Sequence, residues 1–432
     1  MTLAKRGLIL GATAISVAAV VVTGAGIHLS QSKAFFEESP KELIDQVWQL
    51  IDRNFVDSTF NQVDWDEVRT DYLGRNYTNQ EEAYVAIREM LEQLEDPYTR
   101  FMDPDEFRSM QIDTSGELTG VGIQISQDEE TKDILVVAPI EDTPAFEAGI
   151  RSQDVILAID GELTEGMELN DAVSLIRGPV GSSVTLTIRR GEQELEVPIT
   201  RARIEIHPVR YNVQAGPDGQ VGYIRLTQFS ANAATEMGEA IEDLESQGVT
   251  GYVLDLRSNP GGLLYSSIDI ARMWIDSGTI VSTVNRQGVV DEETANSRAL
   301  TDKPLVVLVD GGSASASEIL SGALKDNERA LLVGTRTFGK GLVQSVRSLG
   351  DGSGVAITVA KYLTPDGTDI NKHGIDPDVS VELTEEQQEQ LATNRESIGT
   401  AADPQFAEAL RALGTEIQEA QAGENVTTAP AN

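Results

Sequence analysis

Tyr252-Val253-Leu254-Asp255-Leu256-Arg257-Ser258-Asn259-Pro260-Gly261-Gly262 reads as a buried strand entering a glycine-rich loop, and residues 264–273 behind it read as a helix. An almost continuous apolar run bounded by turn residues suits a strand covered on both faces. The same order returns downstream. Residues 305–309 form an apolar run, Asp310-Gly311-Gly312 a turn, and about 315–326 a helix. Upstream, Val221-Gly222-Tyr223-Ile224 precedes a helical stretch over 231–245. Strand, loop and helix repeated in this way predict an α/β core over residues 203–383 with largely parallel pairing.

Either side of that core the pattern changes. From 114 to 202 short strands alternate with glycine turns, and one helix is expected between 170 and 176, which together predict a self-contained β-rich unit. Residues 35–113 are helical in pattern. Leu43, Ile44, Val47, Trp48, Ile51 and Phe55 recur at the helical period behind Ser39-Pro40, a cap with proline in the first turn. A second stripe runs through Tyr84, Ile87, Leu91 and Leu94, so a small helical domain is expected here. After residue 383 an amphipathic helix through Phe406, Leu410, Leu413 and Ile417 leads to a disordered tail from about Gly423.

The first 34 residues read as an export signal. Lys5 and Arg6 precede an apolar stretch reaching about Leu29, and Ser32-Lys33-Ala34 offers a small-x-small cleavage site. The stretch is also long enough to remain as a membrane anchor, which takes about 20 residues.

Composition narrows the chemistry. The 432 residues carry 70 acidic and 33 basic side chains, a formal net charge of −37, and such a field repels phosphate backbones and speaks against nucleic-acid binding. Cysteine is absent, which removes disulfides, thiolate nucleophiles and cysteine-ligated zinc. Only 3 histidines are present, His28, His207 and His373, so a histidine triad or a multi-histidine metal site has almost no material.

Within the core, Gly312-Ser313-Ala314-Ser315-Ala316-Ser317-Glu318 sits between a buried strand and a helix. A serine there can attack a carbonyl while neighbouring amides hold the oxyanion, although a serine before a helix also serves as a cap. Lys340, in Thr337-Phe338-Gly339-Lys340-Gly341-Leu342-Val343-Gln344, lies among glycines and apolar neighbours. Burial disfavours the charged form of a lysine, and with histidine so scarce Lys340 is the remaining base able to activate a serine. Read as a strand, this stretch projects Lys340 and Gln344 on one face, where the Gln344 amide can orient the lysine. Gly261, at a strand exit, suits an oxyanion donor and equally a plain turn.

Two further motifs compete for attention. Gly334-Thr335-Arg336-Thr337-Phe338-Gly339-Lys340 opens like a phosphate-binding loop, but Gly341 stands where a Ser or Thr is needed and no helix pattern follows. In the β-rich unit, Gly120, Val121, Gly122 and Ile123 form a loop whose exposed N–H groups suit a peptide's terminal carboxylate. Val173 and Ile176 are expected to complete an apolar pocket for its last side chain.

Taken together, these residues resemble the carboxyl-terminal processing peptidases, serine proteases that contain a PDZ domain. The resemblance runs through Asp96-Pro97-Tyr98-Thr99-Arg100-Phe101, the 120–123 loop, the segment 255–262, the serine run with Glu318-Ile319, and Phe338-Gly339-Lys340-Gly341. It closes on Leu363-Thr364-Pro365-Asp366-Gly367 and His373-Gly374-Ile375-Asp376-Pro377-Asp378. It implies an α+β multidomain fold: an N-terminal helical region, a PDZ domain over 114–202 and a crotonase-like α/β protease core, with residues 384–432 as a C-terminal helical segment and tail. It further implies that Ser315 is the nucleophile, Lys340 the base and Gln344 the third member, with the amides of Gly261 and Ala316 as oxyanion donors. Asp326, 11 residues and about three helical turns past Ser315, matches a supporting aspartate. Arg177 matches an arginine that couples PDZ position to activity. No metal or cofactor is implied. The expected substrates are proteins or peptides with free apolar C-termini, and the expected location is the periplasm or thylakoid lumen. The competing expectation is an exported PDZ scaffold with an inert core, and behind it a nucleotide-binding protein.

Overall fold

The computed structural model describes residues 39–427, apart from 129–130, 141–142, 218, 289 and 395–396, so the leader expected over 1–34 lies outside the described residues. Its centre is a six-stranded sheet in the order Val209–Gly216, Gly219–Leu226, Gly251–Asp255, Leu305–Val309, Leu331–Gly334 and Val379–Ser380. The first pair is an antiparallel hairpin and every later pairing is parallel. The period of two decides what covers each face. Leu254, Leu305, Val307, Val309 and Leu332 pack against the helices Ala233–Ser246, Leu264–Trp274 and Ala316–Asp326. Val253, Val306, Leu308 and Val333 face the helix Pro404–Thr427 through Phe406, Ala409, Leu413 and Ile417. The C-terminal helix is thus one of the two layers that bury the central strands. It continues through Thr427, past the Gly423 where a tail was expected, and residues 428–432 lie outside the described residues.

A second sheet carries the strand Gly354–Leu363, which pairs with Arg100–Met102, Thr279–Asn285 and Leu342–Ser348. The helices Pro40–Asn54 and Gln80–Glu92 form where the stripes predict, a third helix, Trp65–Gly74, lies between them, and Ser39 closes a capping box with Glu42. They do not close a core by themselves. Leu43, Val47, Ile51, Ile87 and Leu94 share one cluster with Val355 and Ile357 of the second sheet and with Leu349 in the turn before the strand Gly354–Leu363.

The PDZ unit has the strand order Ile123–Gln127, Ile134–Pro139, Val155–Ile159, Ser183–Arg190 and Gln193–Thr200, with the helix Leu169–Ile176. Ile123–Gln127 is an edge strand, so one side of it is open to a further strand. The unit hangs on a two-stranded ribbon, Glu117–Gly120 with Ala202–Glu205, directly after the connecting helix Pro104–Ser115.

Candidate active site

Ligands of open parallel sheets bind beyond the carboxyl ends of the strands. Here those ends carry three loops, 256–263, 310–315 and 335–341, and they converge on a cavity of about 370 Å³ lined by Ser315, Ala316, Lys340, Gln344, Pro260 and Gly262, among others.

The structure separates the three serines of the 313–317 run. Ser313 Oγ donates to the Leu256 carbonyl (2.9 Å), Ser317 Oγ donates to the Asn259 carbonyl (2.9 Å), and both residues are fully buried. Their hydroxyls fasten the serine loop to the 256–259 loop. Ser315 alone of the three lines the cavity. Its φ of +56° and ψ of −112° place it in a conformation L-residues rarely adopt, at the sharp turn where strand gives way to helix.

Gly261 explains why the adjoining loop ends in glycines. At its φ of +100°, a Cβ would lie 2.7 Å from the Ala314 carbonyl oxygen and 2.9 Å from Ser315 Cβ. The loop therefore packs directly on the Ser315 turn. The Gly261 N–H, expected as an oxyanion donor, donates to Asn259 Oδ1 at 2.9 Å within its own turn. Gly262 is the residue of the pair that lines the cavity, together with Ala316.

Lys340 reaches the cavity from a loop, because the strand begins only at Leu342. Strand periodicity therefore does not account for the side that Lys340 and Gln344 share. Both nevertheless line the same cavity. The Lys340 amine lies 4.8 Å from the Tyr98 ring centroid. Its pKa is lowered, first by burial and then by the Arg100 charge, against the opposing pull of Asp96 and Glu318. Gln344 Nε2 is buried with no hydrogen-bond partner among the described residues.

Glu318, three residues after Ser315, ties the site together. It is fully buried, and its two oxygens accept from Ser315 N–H (2.9 Å), Lys340 N–H (2.9 Å), Gly339 N–H (2.7 Å) and Thr337 Oγ1 (2.6 Å). One carboxylate thus holds the Ser315 turn and the 337–340 loop in fixed relation. The Tyr362 hydroxyl adds a second tie, donating to the Lys340 carbonyl and lying 3.2 Å from the Ser315 carbonyl. A third feature is remote in sequence. Arg257 bridges Asp255 and Asp403 (2.6 and 2.7 Å), so the C-terminal segment clamps the base of the 256–263 loop.

The other expected residues fall outside the cavity. Asp326, at the far end of the helix, accepts from the Asp366 N–H at 3.1 Å and so fixes the 364–367 turn. In the PDZ unit Val121 is buried, its carbonyl accepts from the Ala145 N–H, and Gly122 has a φ of +83°. Ile176 belongs to the domain core, whereas Val173 lines a second cavity of about 870 Å³ that also borders Arg177, Ser109, Met110 and Arg100. Arg177 reaches Ser109 Oγ at 3.4 Å, on the connecting helix whose Met110 and Thr114 line the Ser315 cavity. The phosphate-loop reading fails on geometry: after the strand Leu331–Gly334 the chain enters another strand, Leu342–Ser348, and no helix N-terminus stands behind Lys340.

A PDZ unit attached to an α/β core with a serine at a strand–helix turn defines a PDZ-containing serine peptidase. Comparison with known proteins agrees. Residues 220–381 match peptidase family S41, 135–190 a PDZ domain and 36–92 the tricorn protease C1 domain. The carboxyl-terminal-processing protease of Synechocystis sp. (strain ATCC 27184 / PCC 6803 / Kazusa) is 50% identical over 368 residues, covering 84% of this chain and 86% of that protein. The chloroplastic carboxyl-terminal-processing peptidase 2 of Arabidopsis thaliana is 44% identical over 345 residues, 77% of this chain and 67% of that one. The solved structure of a photosystem II D1 C-terminal processing protease superposes with a TM-score of 0.56 at 39% identity, covering 85% of this chain and 100% of the other. The chain belongs to the carboxyl-terminal-processing proteases of peptidase family S41 and is a serine-type peptidase.

Proposed function

We propose that this protein is an exported endopeptidase that cleaves near substrate C-termini through Ser315 and Lys340. The observation that carries the reading is that Ser315, Lys340 and Gln344 share one cavity while the flanking Ser313 and Ser317 hydroxyls are spent on backbone carbonyls. Lys340 as a free amine takes the Ser315 hydroxyl proton while Oγ bonds to the scissile carbonyl carbon. The oxyanion is held by the Ala316 N–H and by the glycine pair 261–262, where the Gly261 N–H must be shared with Asn259. As the C–N bond breaks, the Lys340 ammonium returns the proton to the leaving amine. Water then attacks the acyl-enzyme by the same relay, releasing a new C-terminal carboxylate. The Gln344 amide oxygen orients Lys340, and Asp326 supports the fold of the 364–367 turn.

In this reading Gly120, Val121, Gly122 and Ile123 receive a free substrate carboxylate beside the open edge Ile123–Gln127, with an apolar last side chain preferred. Arg177 couples the occupied PDZ unit to the site through the connecting helix. The apolar N-terminal stretch directs export to a thylakoid lumen or periplasm, by a leader that is cleaved or kept as an anchor. A D1-like precursor is the natural first substrate to assay, because a structural relative at 39% identity is a photosystem II D1 C-terminal processing protease.

Lys340→Arg tests the mechanism. Arginine keeps its proton, so peptide cleavage should be lost, and wild-type activity should rise with pH through a group below the ordinary lysine value of about 10.4. Near-normal turnover in Lys340→Arg would exclude Lys340 as the base.

A further inference from the structure

Lys340 has to be a free amine in a cavity that a polypeptide, and therefore water, can enter. Its surroundings pull in opposite directions. From the segment before the first short strand come Asp96, Tyr98 and Arg100; from the helix below comes Glu318; from the strand Gly354–Leu363 comes Tyr362. Lys372 and His373 pack by their backbones against Gly339. Both carboxylates favour the ammonium form, although neither forms an ion pair with it. Asp96 is committed to Tyr98 N–H (3.2 Å) and Thr99 Oγ1 (2.6 Å), and Glu318 to its four donors. The Tyr98 ring face also favours a cation. With Lys340 only half-buried, the amine needs a counterweight beyond burial.

Arg100 is placed to supply it. The strand Arg100–Met102 pairs with Gly354–Leu363 in the register Arg100↔Ala356, Phe101↔Val355 and Met102↔Gly354. Alternation sends Phe101 into the core shared with the N-terminal helices and leaves Arg100 and Met102 on the cavity side, where both line it with Lys340. Arg100 also lines the neighbouring cavity on the PDZ side. It pairs with no carboxylate among the described residues, whereas Arg88 and Arg108 nearby are paired with Asp103, Asp105 and Glu106. An arginine stays charged at every working pH, so it acts as a fixed positive charge beside the base.

We propose that Arg100 is a positioning residue for the reaction, its unpaired guanidinium in the catalytic cavity maintaining Lys340 as the amine that proton transfer requires. This rests on the reading of Lys340 as the base. The lowered Lys340 pKa, with Arg100 its second cause after burial, agrees with the geometry. Arg100 is exposed and its backbone carries the strand register, so Arg100→Gln should fold as the parent does.

The test uses full-length protein and two readouts. The first is the pH profile of kcat on a peptide with a free C-terminus. The second is the pH dependence of Lys340 acetylation by an amine-reactive ester, followed by mass spectrometry in a Ser315→Ala background, which reports protonation whether or not Lys340 is the base. In Arg100→Gln both should move to higher pH by up to about one unit, a loss of about tenfold in kcat below the transition. Arg100→Lys should restore both towards the parent, and KM should change little. An acetylation profile unchanged in Arg100→Gln overturns the inference, and a rise in KM alone would make Arg100 a substrate contact instead. A shifted acetylation profile with an unshifted kcat profile supports the action of Arg100 on the amine and instead removes Lys340 from the role of base.

Discussion

Replacing Glu318 by glutamine keeps the shape of the side chain and tests whether one carboxylate sets the geometry of the site. Oε1 accepts from Gly339 N–H and Thr337 Oγ1, and Oε2 from Ser315 N–H and Lys340 N–H, so every lone-pair position faces a donor. An amide nitrogen must take one of these positions. On the Oε1 side the Thr337 hydroxyl, which already accepts from Ile375 N–H, can rotate to accept from the amide, but its own O–H and the Gly339 N–H then lose their acceptor. On the Oε2 side both Ser315 and Lys340 N–H groups are orphaned. Two buried donors at about 1–3 kcal/mol each, with weaker bonds at the oxygen that remains, give a loss of roughly 2–6 kcal/mol. The first residues to move are then the Ser315 turn and the 337–340 loop, and if these carry the reacting groups, as proposed, a displacement of about 1 Å between them costs on the order of a hundredfold in rate. The assay is a denaturant midpoint at unchanged m-value, paired with kcat and KM on a short peptide. The effect should fall on kcat. Loss of the Glu318 charge removes one of the groups that favour the Lys340 ammonium, so the acid limb should stay or move to lower pH. Stability within about 1 kcal/mol of the parent and an unchanged kcat would refute the reasoning, as would an acid limb displaced upward.

Gly261→Ala should abolish turnover with little change in overall fold, because its Cβ would meet the Ala314 carbonyl oxygen at 2.7 Å and Ser315 Cβ at 2.9 Å; peptide kinetics beside circular dichroism checks this. Arg257→Ala leaves Asp255 and Asp403 buried and unpaired, so the denaturant midpoint should fall by the equivalent of roughly 3–5 kcal/mol. In Ser315→Ala protein, amidating the C-terminus of a bound peptide should weaken its affinity at least about tenfold by calorimetry, the loss of one charge-assisted site. Equal affinity for acid and amide would remove the 120–123 loop from carboxylate binding.

How much of this was legible in the sequence depended on distance along the chain. The central strands could be read because residues such as Val306, Val307 and Leu308 face apolar layers on both sides. Lys340 stood out because a chain without cysteine and with 3 histidines leaves few bases to choose from. Glu318 did not stand out, since an acidic residue three after a helix-capping serine is ordinary, and its reach to 337–340 exists only after folding. The Arg257–Asp403 pair joins residues 146 apart and has no local signature. The amphipathic pattern at Phe406, Leu413 and Ile417 was visible, but nothing in it named the sheet face it covers. The N-terminal stripes likewise gave helices without revealing that Val355 and Ile357 complete their core. Strand alternation does not explain why Lys340 and Gln344 share a cavity, because the strand starts only at Leu342.

The central claim is that Ser315, activated by Lys340, carries the acyl group. Rapid acid quench of the enzyme with an activated peptide ester, followed by peptide mapping, tests it most directly. The account predicts one acyl adduct, on Ser315, which vanishes in Ser315→Ala and forms far more slowly in Lys340→Met, while Ser313 and Ser317 remain unmodified. An adduct on either of those buried serines, or undiminished acylation of Ser315 in Lys340→Met, would contradict it.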